Sequence, residues 1–230
     1  EDNLSGITSK TESMTVATEG KDQAITGEAA DLAGNKSTAS LKVSLDKTPP
    51  TITAQDSPQP NANGWNNSDV TLTFNASDSL SGIKSVTDPF TLTAEGANQS
   101  ISGEAMDYAD NKAITSKTVN IDKTPPTVSI IATPNILWPP NSKMVDVKIN
   151  GETKDSLSNI SSLIFTVEDE YNEVEPALSN FGQTIQLKAS RQGSDKDGRV
   201  YTISVTTEDK AGNQTSSSAT VTCPHDQGKK

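Results

Sequence analysis

Aspartate recurs at matched places along this chain, and aspartate carboxylates can bind hard divalent cations. One motif is Asp-x-Leu-Ser, at 78–81 and 155–158, and another is Asp-x-Ala-x-Asn, at 107–111 and 209–213. A further aspartate begins each Asp-Lys-Thr-Pro-Pro segment. Ca²⁺ takes about six to eight oxygen ligands from carboxylates, amides and carbonyls. The candidate ligands form a first aspartate set, Asp46, Asp78, Asp107 and Asn111, and a second aspartate set, Asp122, Asp155, Asp209 and Asn213.

The same aspartates also fit a turn-forming role that needs no metal. An Asp side chain accepts backbone N–H bonds in an Asx turn, and Gly or Asn supplies the left-handed conformation. No complete Asp-x-Asp-x-Asp-Gly loop fixes a ligand set, so both readings stay open. The fragment 194–198 predicts a tight hairpin turn at Asp197-Gly198 before a strand, rather than a metal loop.

Catalysis is not expected of this chain. His225 is the single histidine, and its place in the charged C-terminal segment makes it a poor base for a Ser-His-Asp or Cys-His arrangement. The sequence has no Gly-x-Ser-x-Gly motif, no His-Glu-x-x-His motif and no phosphate-binding glycine loop. Paired carboxylates could hydrolyse glycosides, but 2 Trp and 3 Tyr are few to line a sugar cleft. We therefore predict no catalytic or organic-cofactor residues.

Charge and composition exclude further classes of partner. The formal net charge is −11 at pH 7, so most of the chain would repel a phosphate backbone or an anionic lipid surface. The sequence has no run of 18 apolar residues, so membrane insertion is not expected. Cys223 is the single cysteine, which excludes an internal disulfide. Neither nucleic acid nor a membrane interior is an expected partner.

The sequence contains an internal duplication. Segment 2–7 matches 78–83, and segment 27–50 aligns without a gap with 103–126, both at an offset of 76 residues (78 − 2 and 103 − 27). A third, diverged copy repeats the aspartate motifs within 155–213. A fixed period of this kind indicates a repeat architecture of small structural units.

Short alternating segments predict strands. Val70, Leu72 and Phe74 fall on one face of a strand, whereas Thr71 and Thr73 fall on the other. Turn residues separate such segments at intervals of about 8 to 12 residues, which is typical of β-sandwiches. Helix should be nearly absent, because no segment has a sustained apolar stripe of helical period. The middle copy is predicted to have strands at 51–54, 69–76, 83–86, 90–93, 99–107 and 113–121.

The Thr-Pro-Pro steps predict the limits of the domains. Consecutive prolines fix φ, remove backbone donors and hold the chain extended, so they suit short, stiff linkers. A hydrophobic content of 31% favours several thin cores over one large core. The predicted domains are a partial repeat at 1–48, a complete repeat at 49–124 and a diverged C-terminal domain at 125–230.

The motifs Asp-x-x-Ser-Gly-Ile, Gly-Glu-Ala-x-Asp-x-Ala-x-Asn and Asp-Lys-Thr-Pro-Pro-Thr resemble those of bacterial immunoglobulin-like repeats in secreted and cell-surface proteins. Segments 137–145, 197–203 and 223–226 resemble a related domain that closes many such proteins. The resemblance implies an all-β chain of tandem immunoglobulin-like β-sandwiches, the first one incomplete, in an extracellular or cell-surface setting. Repetition with stiff linkers favours a non-catalytic structural spacer in a surface or filament-forming protein. The alternatives are an adhesive or glycan-binding module and an accessory region of a secreted hydrolase.

Each aspartate set should converge if the sandwiches are immunoglobulin-like. The turn between strands F and G and the loop after strand B lie at the same end of such a sandwich, which the incoming linker also reaches. We expect Ca²⁺ to bind each set at a junction between repeats and to stiffen that junction, with Asn111 and Asn213 as ligands or supports.

The first copy is a half repeat with an apolar face to cover. Either the natural chain continues upstream, or a neighbouring copy or another surface protein adds strands to the half repeat at 1–48. Complementation by neighbouring copies would generate an open head-to-tail polymer. The apolar side chains left exposed would be Ile7, Val16, Ile25, Ala29 and Val43.

Overall fold

The computed structural model describes residues 3–173 and 176–226, and it contains strands and turns without helix in that part of the chain. The all-β prediction is confirmed. Across the same residues, no helix is long and apolar enough to span a membrane. The strands are β1 Ile7–Lys10, β2 Gly20–Asp31, β3 Lys36–Leu45, β4 Thr51–Ser57, β5 Val70–Ser77, β6 Ile83–Val86, β7 Phe90–Leu92, β8 Gly96–Asp107, β9 Lys112–Ile121, β10 Thr127–Thr133, β11 Met144–Lys154, β12 Ile160–Asp169, β13 Thr184–Lys188, β14 Arg199–Asp209 and β15 Gln214–Cys223.

The described strands form three-stranded sheets. Their orders are β1-β2-β3, β4-β5-β7, β6-β8-β9, β10-β11-β13 and β12-β14-β15. The chain divides into two compact units, one made of Glu1–Ser57, Thr71–Phe90 and Ser100–Thr118, the other of Pro58–Val70, Thr91–Gln99 and Val119–Lys230. The domain limits proposed from the Thr-Pro-Pro steps stay a prediction.

The duplication in the sequence also appears in the strand boundaries. Strands β1, β2 and β3 recur as β6, β8 and β9, and β4 recurs as β10, each 76 residues later (96 − 20 and 127 − 51). The six strands predicted for the middle copy agree with β4 to β9, with ends that differ by up to three residues. Alternation and turn residues therefore placed these strands well.

Strand β14 shows how period-two alternation leads from the core to an aspartate. Every second residue of this strand is buried, and the intervening residues are only partly buried. The last inward position is Asp209, which follows apolar neighbours such as Ile203 and Val205 on the same face. Strand β8 ends likewise, with Ala105 and then Asp107 buried. In each strand, a carboxylate therefore lies at the end of an apolar face.

The first copy lacks a buried core. None of residues 3–45 is buried, and Ile7 exposes 51% of its surface, while Val16, Ile25, Ala29 and Val43 are partly buried. At the equivalent positions of the middle copy, 76 residues later, Ala105 and Val119 are buried. The predicted apolar face of this half repeat is thus only partly covered.

The prediction of a hairpin at Asp197-Gly198 is wrong. Strand β13 pairs with β11, whereas β14 pairs with β12 and β15, so the segment 189–198 connects two sheets. Asp195 stabilises this crossover by accepting bonds from the backbone N–H of Gly198 at 2.8 Å and from the Tyr171 hydroxyl. Asp-Gly is a good local turn signal, but pairing with distant strands decided the connection here.

Candidate cation sites

The turn after β8 holds the carboxylate of Asp107 in place. Its Oδ1 accepts N–H bonds from Ala109 at 2.8 Å and Asn111 at 2.9 Å, and its Oδ2 accepts a bond from the Asn111 amide Nδ2 at 2.9 Å. Asp110, which stands where the related motifs have glycine, takes the left-handed φ of 66° that the turn requires. The turn therefore fixes both oxygens of a fully buried carboxylate.

The loop after β5 orients Asp78. Its Oδ1 accepts three backbone N–H bonds, from Leu80 at 3.1 Å, Ser81 at 2.8 Å and Gly82 at 2.8 Å. The N–H of Gly82 is the largest of the effects that hold the pKa of Asp78 below its usual value. Asp78 is therefore a stable carboxylate at neutral pH.

Asp46, in the linker after β3, completes the first aspartate set. Its Oδ1 accepts the N–H of Thr48 at 3.0 Å, and its Oδ2 accepts the N–H of Ser81 at 3.1 Å. One carboxylate oxygen from each of Asp46, Asp78 and Asp107 lies within 4.8 Å of the other two. The structure thus brings together the three aspartates of the first set.

The second set repeats this geometry with greater burial. Asp122 and Asp209 are fully buried, Asp155 is partly buried, and one oxygen from each lies within 4.8 Å of the other two. Asp122 Oδ2 accepts the N–H of Ser158 at 3.0 Å, the counterpart of the bond between Asp46 and Ser81. Asp155 Oδ1 accepts the N–H of Asn159. Asn159 has a left-handed φ of 68°, close to the φ of 82° at Gly82, the equivalent residue of the middle copy.

Asn111 and Asn213 brace the carboxylates with their amide nitrogens. Asn213 Nδ2 donates to Asp209 Oδ2 at 2.8 Å and to the carbonyl of Asp122 at 2.9 Å. Asn111 Nδ2 makes the equivalent bonds to Asp107 and, at 3.4 Å, to the carbonyl of Asp46. In this arrangement each asparagine ties the turn to the linker and acts as a support for the cluster.

No positive side chain neutralises either cluster within the described residues. Lys47 and Lys123, the lysines nearest in sequence to the linker aspartates, direct their ammonium groups to the carbonyls of Ala17 and Thr93. Lys123 also pairs with Asp69, which is outside both clusters. The ion pairs of the described chain include none of the six aspartates. Among the described residues, each cluster therefore gathers three carboxyl groups without a cationic side chain to pair with them.

The corresponding turn of the first copy shows what the motif does locally. Asp31 accepts bonds from the Asn35 backbone at 2.8 Å and the Asn35 amide at 2.7 Å, and the Asn35 amide is the main cause of the lowered pKa of Asp31. Asp31 is only partly buried, and Asp2 lies outside the described residues. The turn explains the Asp and Asn of the motif, but not the gathering of three carboxylates in the other two copies.

The last domain contains a buried ion pair that the sequence motifs do not indicate. Arg199 is buried on β14 and makes two bonds of 2.7 Å to Asp169, together with a bond of 2.9 Å to Glu173. Its guanidinium also lies over the rings of Tyr171 and Tyr201. The inward register of Arg199, two residues before Tyr201, was the available signal.

A loop that no sequence motif indicates also contacts the second aspartate set. Asn61 and Asn63 both donate their side-chain N–H groups to the carbonyl of Lys210, at 2.8 Å and 3.2 Å. The backbone of Asn66 in the same loop bonds to Asn120 and Asp122. The loop therefore connects the linker aspartate to the turn that contains Asp209.

Antiparallel three-stranded sheets with alternating inward residues are typical of immunoglobulin-like β-sandwich modules. A family model, the bacterial Ig-like domain (group 3), matches residues 90–224, more than half of the chain. The chain belongs to this family, which confirms the immunoglobulin-like fold. Comparison with curated proteins finds no match. Such domains are typically non-enzymatic structural or adhesive modules, and they are common on surface proteins.

Proposed function

We propose that this chain is a non-catalytic structural spacer of an extracellular surface or filament-forming protein, and that Ca²⁺ bound by its two aspartate sets holds adjoining elements together. Family membership supports the structural role. The strand pattern that recurs after 76 residues supports a repeated spacer, since stacked units extend a chain without needing an active site. The Pro49-Pro50 and Pro125-Pro126 steps suit extended, stiff linkers.

The observation that carries the cation proposal is the recurrence of three converging carboxylates that no cationic side chain of the described residues contacts. Bringing like charges together in a buried place is unfavourable, and a divalent cation relieves that repulsion. Aspartate oxygens are ligands that Ca²⁺ prefers. The donor set fits the ion, with Asp46, Asp78 and Asp107 or Asp122, Asp155 and Asp209 as ligands and the two asparagines as supports.

Each site would join a linker to two turns. Asp122 precedes the Thr-Pro-Pro step, Asp155 belongs to the loop after β11, and Asp209 ends β14. An ion held by all three would restrain the linker against both elements. This is how a small site would add stiffness to a spacer.

Thermal unfolding in Ca²⁺ and in chelator tests the proposal. At a free Ca²⁺ concentration about a hundredfold above the Kd, binding stabilises the folded form by about 2.7 kcal/mol. For a chain of this size we expect the thermal transition to rise by about 5–10 °C. Circular dichroism with and without chelator would measure the shift.

Asp209→Asn provides the site variant, because asparagine retains the shape of the turn residue but loses the charge. We expect this variant to lose most of the Ca²⁺-dependent shift. Glu208→Gln is the matched control, since Glu208 is the neighbouring residue on the outward face and its carboxylate accepts a bond from the Gln214 amide at 2.7 Å. If the parent chain unfolds at the same temperature in Ca²⁺ and in chelator, the aspartates only form turns and the proposal is wrong.

A further inference from the structure

The sheet of β2 and β3 has one apolar face and one polar face. Ile25 pairs with Leu41 and Gly27 with Ala39, so these residues share one face of the antiparallel pair. The opposite face is polar, with a 3.0 Å bond between Thr26 and Ser40. We define the β2–β3 apolar face by Ile25, Gly27, Ala29, Ala39, Leu41 and Val43.

The middle copy shows what covers an equivalent face. Gly103, the counterpart of Gly27, lies directly against the ring of Phe74 from β5, and a Cβ at Gly103 would be 2.3 Å from that ring. At Gly27 the nearest atom to such a Cβ is in Thr11, at 3.9 Å. A concavity of about 220 Å³ lies beside Gly27, lined by Gly27, Ala29 and Ala39 together with polar residues that include Thr11 and Ser37. The seat for an aromatic ring is present in the first copy and open.

A second difference concerns charge. In the middle copy Lys117 pairs at 3.1 Å with Asp56, a buried residue of β4 in the same hairpin as Phe74. The counterpart of Lys117 in the first copy is Leu41, which exposes 67% of its surface. A hairpin identical to Thr51–Ser77 would place Asp56 against Leu41 and lose its ion pair with Lys117, which is costly for a buried carboxylate. In each copy of this chain, that hairpin already packs against the middle repeat.

We propose that the β2–β3 apolar face binds a β-hairpin from outside this 230-residue sequence, distinct from the hairpin of a second copy. The hairpin has the pattern of Thr51–Ser77, with an aromatic side chain that enters the seat over Gly27. It has an uncharged aliphatic side chain at the position of Asp56, where it contacts Leu41. The match between this residue and Leu41 sets the specificity of the face.

Titration of the full chain with two synthetic hairpins tests this inference. One peptide has the sequence of residues 51–77, and the other has the same sequence with Asp56→Leu. We expect the Asp56→Leu peptide to bind at least about tenfold more tightly, measured by calorimetry. The chain variant Leu41→Lys should reverse this preference, and because Leu41 is exposed the substitution should leave the fold intact.

Gly27→Val should abolish binding of the Asp56→Leu peptide, because it fills the aromatic seat. Ala24→Val, on the opposite face where Ala24 pairs with Lys42, is the control and should bind normally. Binding of neither peptide, equal binding of both, or a preference that Leu41→Lys leaves unchanged would overturn the proposal. Concentration-dependent self-association that protects the amides of β2 and β3 from hydrogen exchange would also overturn the proposal. In that case a second copy of the chain occupies the face.

Discussion

Asp169→Asn is expected to destabilise the last domain by about 3 kcal/mol, the low end of the range for breaking a buried ion pair. The substitution removes the partner that makes two bonds of 2.7 Å to the buried guanidinium of Arg199. Glu173 remains at 2.9 Å, but its side chain is 52% exposed and compensates the charge less well. Urea unfolding followed by tryptophan fluorescence and circular dichroism would measure the loss.

Glu173→Gln is the matched control for this ion pair. Because Glu173 is half exposed, its removal should cost less than about 1 kcal/mol. If the Asp169→Asn midpoint moves no further than that of Glu173→Gln, the buried pair is not a main stabilising contact of the domain.

The same pair predicts an acid-dependent loss of stability. Burial by itself raises the pKa of Asp169, but the hydrogen bonds and charge of Arg199, aided by backbone N–H groups, lower it below the usual 3.8. A carboxyl with a depressed folded-state pKa stabilises the fold above its unfolded pKa and loses that effect as the pH falls through the folded value. Wild type should therefore lose stability below about pH 4 more steeply than Asp169→Asn.

Gly103→Val and Gly27→Val should have opposite outcomes although they are equivalent substitutions 76 residues apart. At Gly103 the new Cβ would overlap the Phe74 ring, so we expect destabilisation of about 1–3 kcal/mol or more. At Gly27 no atom is nearer than 3.9 Å, and valine suits a strand, so stability should be unchanged or slightly higher. Parallel thermal unfolding of the two variants measures the difference. Equal effects would contradict the contrast between a covered face and an open one.

Much of this fold was predictable because its determinants are local. The alternation of Val70, Leu72 and Phe74 placed β5, and the repeated motifs indicated which aspartates would meet before any contact was known. The pair Arg199 and Asp169 was not predictable in this way. Its members are 30 residues apart, on strands whose pairing no local motif specifies.

The hairpin predicted within segment 189–198 was wrong for the same reason. Asp197-Gly198 favours a hairpin locally, but the sheet partners of β13 and β14 lie elsewhere in the chain and determine the path. The bond from Asn61 to Lys210 is an extreme case, since 149 residues separate the two. Long-range pairing therefore limited the sequence reasoning, whereas strand period and turn chemistry did not.

The central claim, that the two aspartate sets bind Ca²⁺, is tested most directly by counting bound ions. Equilibrium dialysis of the metal-free chain against Ca²⁺, with the metal measured by atomic absorption, should give two ions per chain. Asp107→Asn and Asp209→Asn should each bind one ion, whereas Asp110→Asn and Glu208→Gln, neighbours in sequence outside the clusters, should still bind two. A parent chain that binds no ion, or a count that neither cluster variant lowers, would contradict the account.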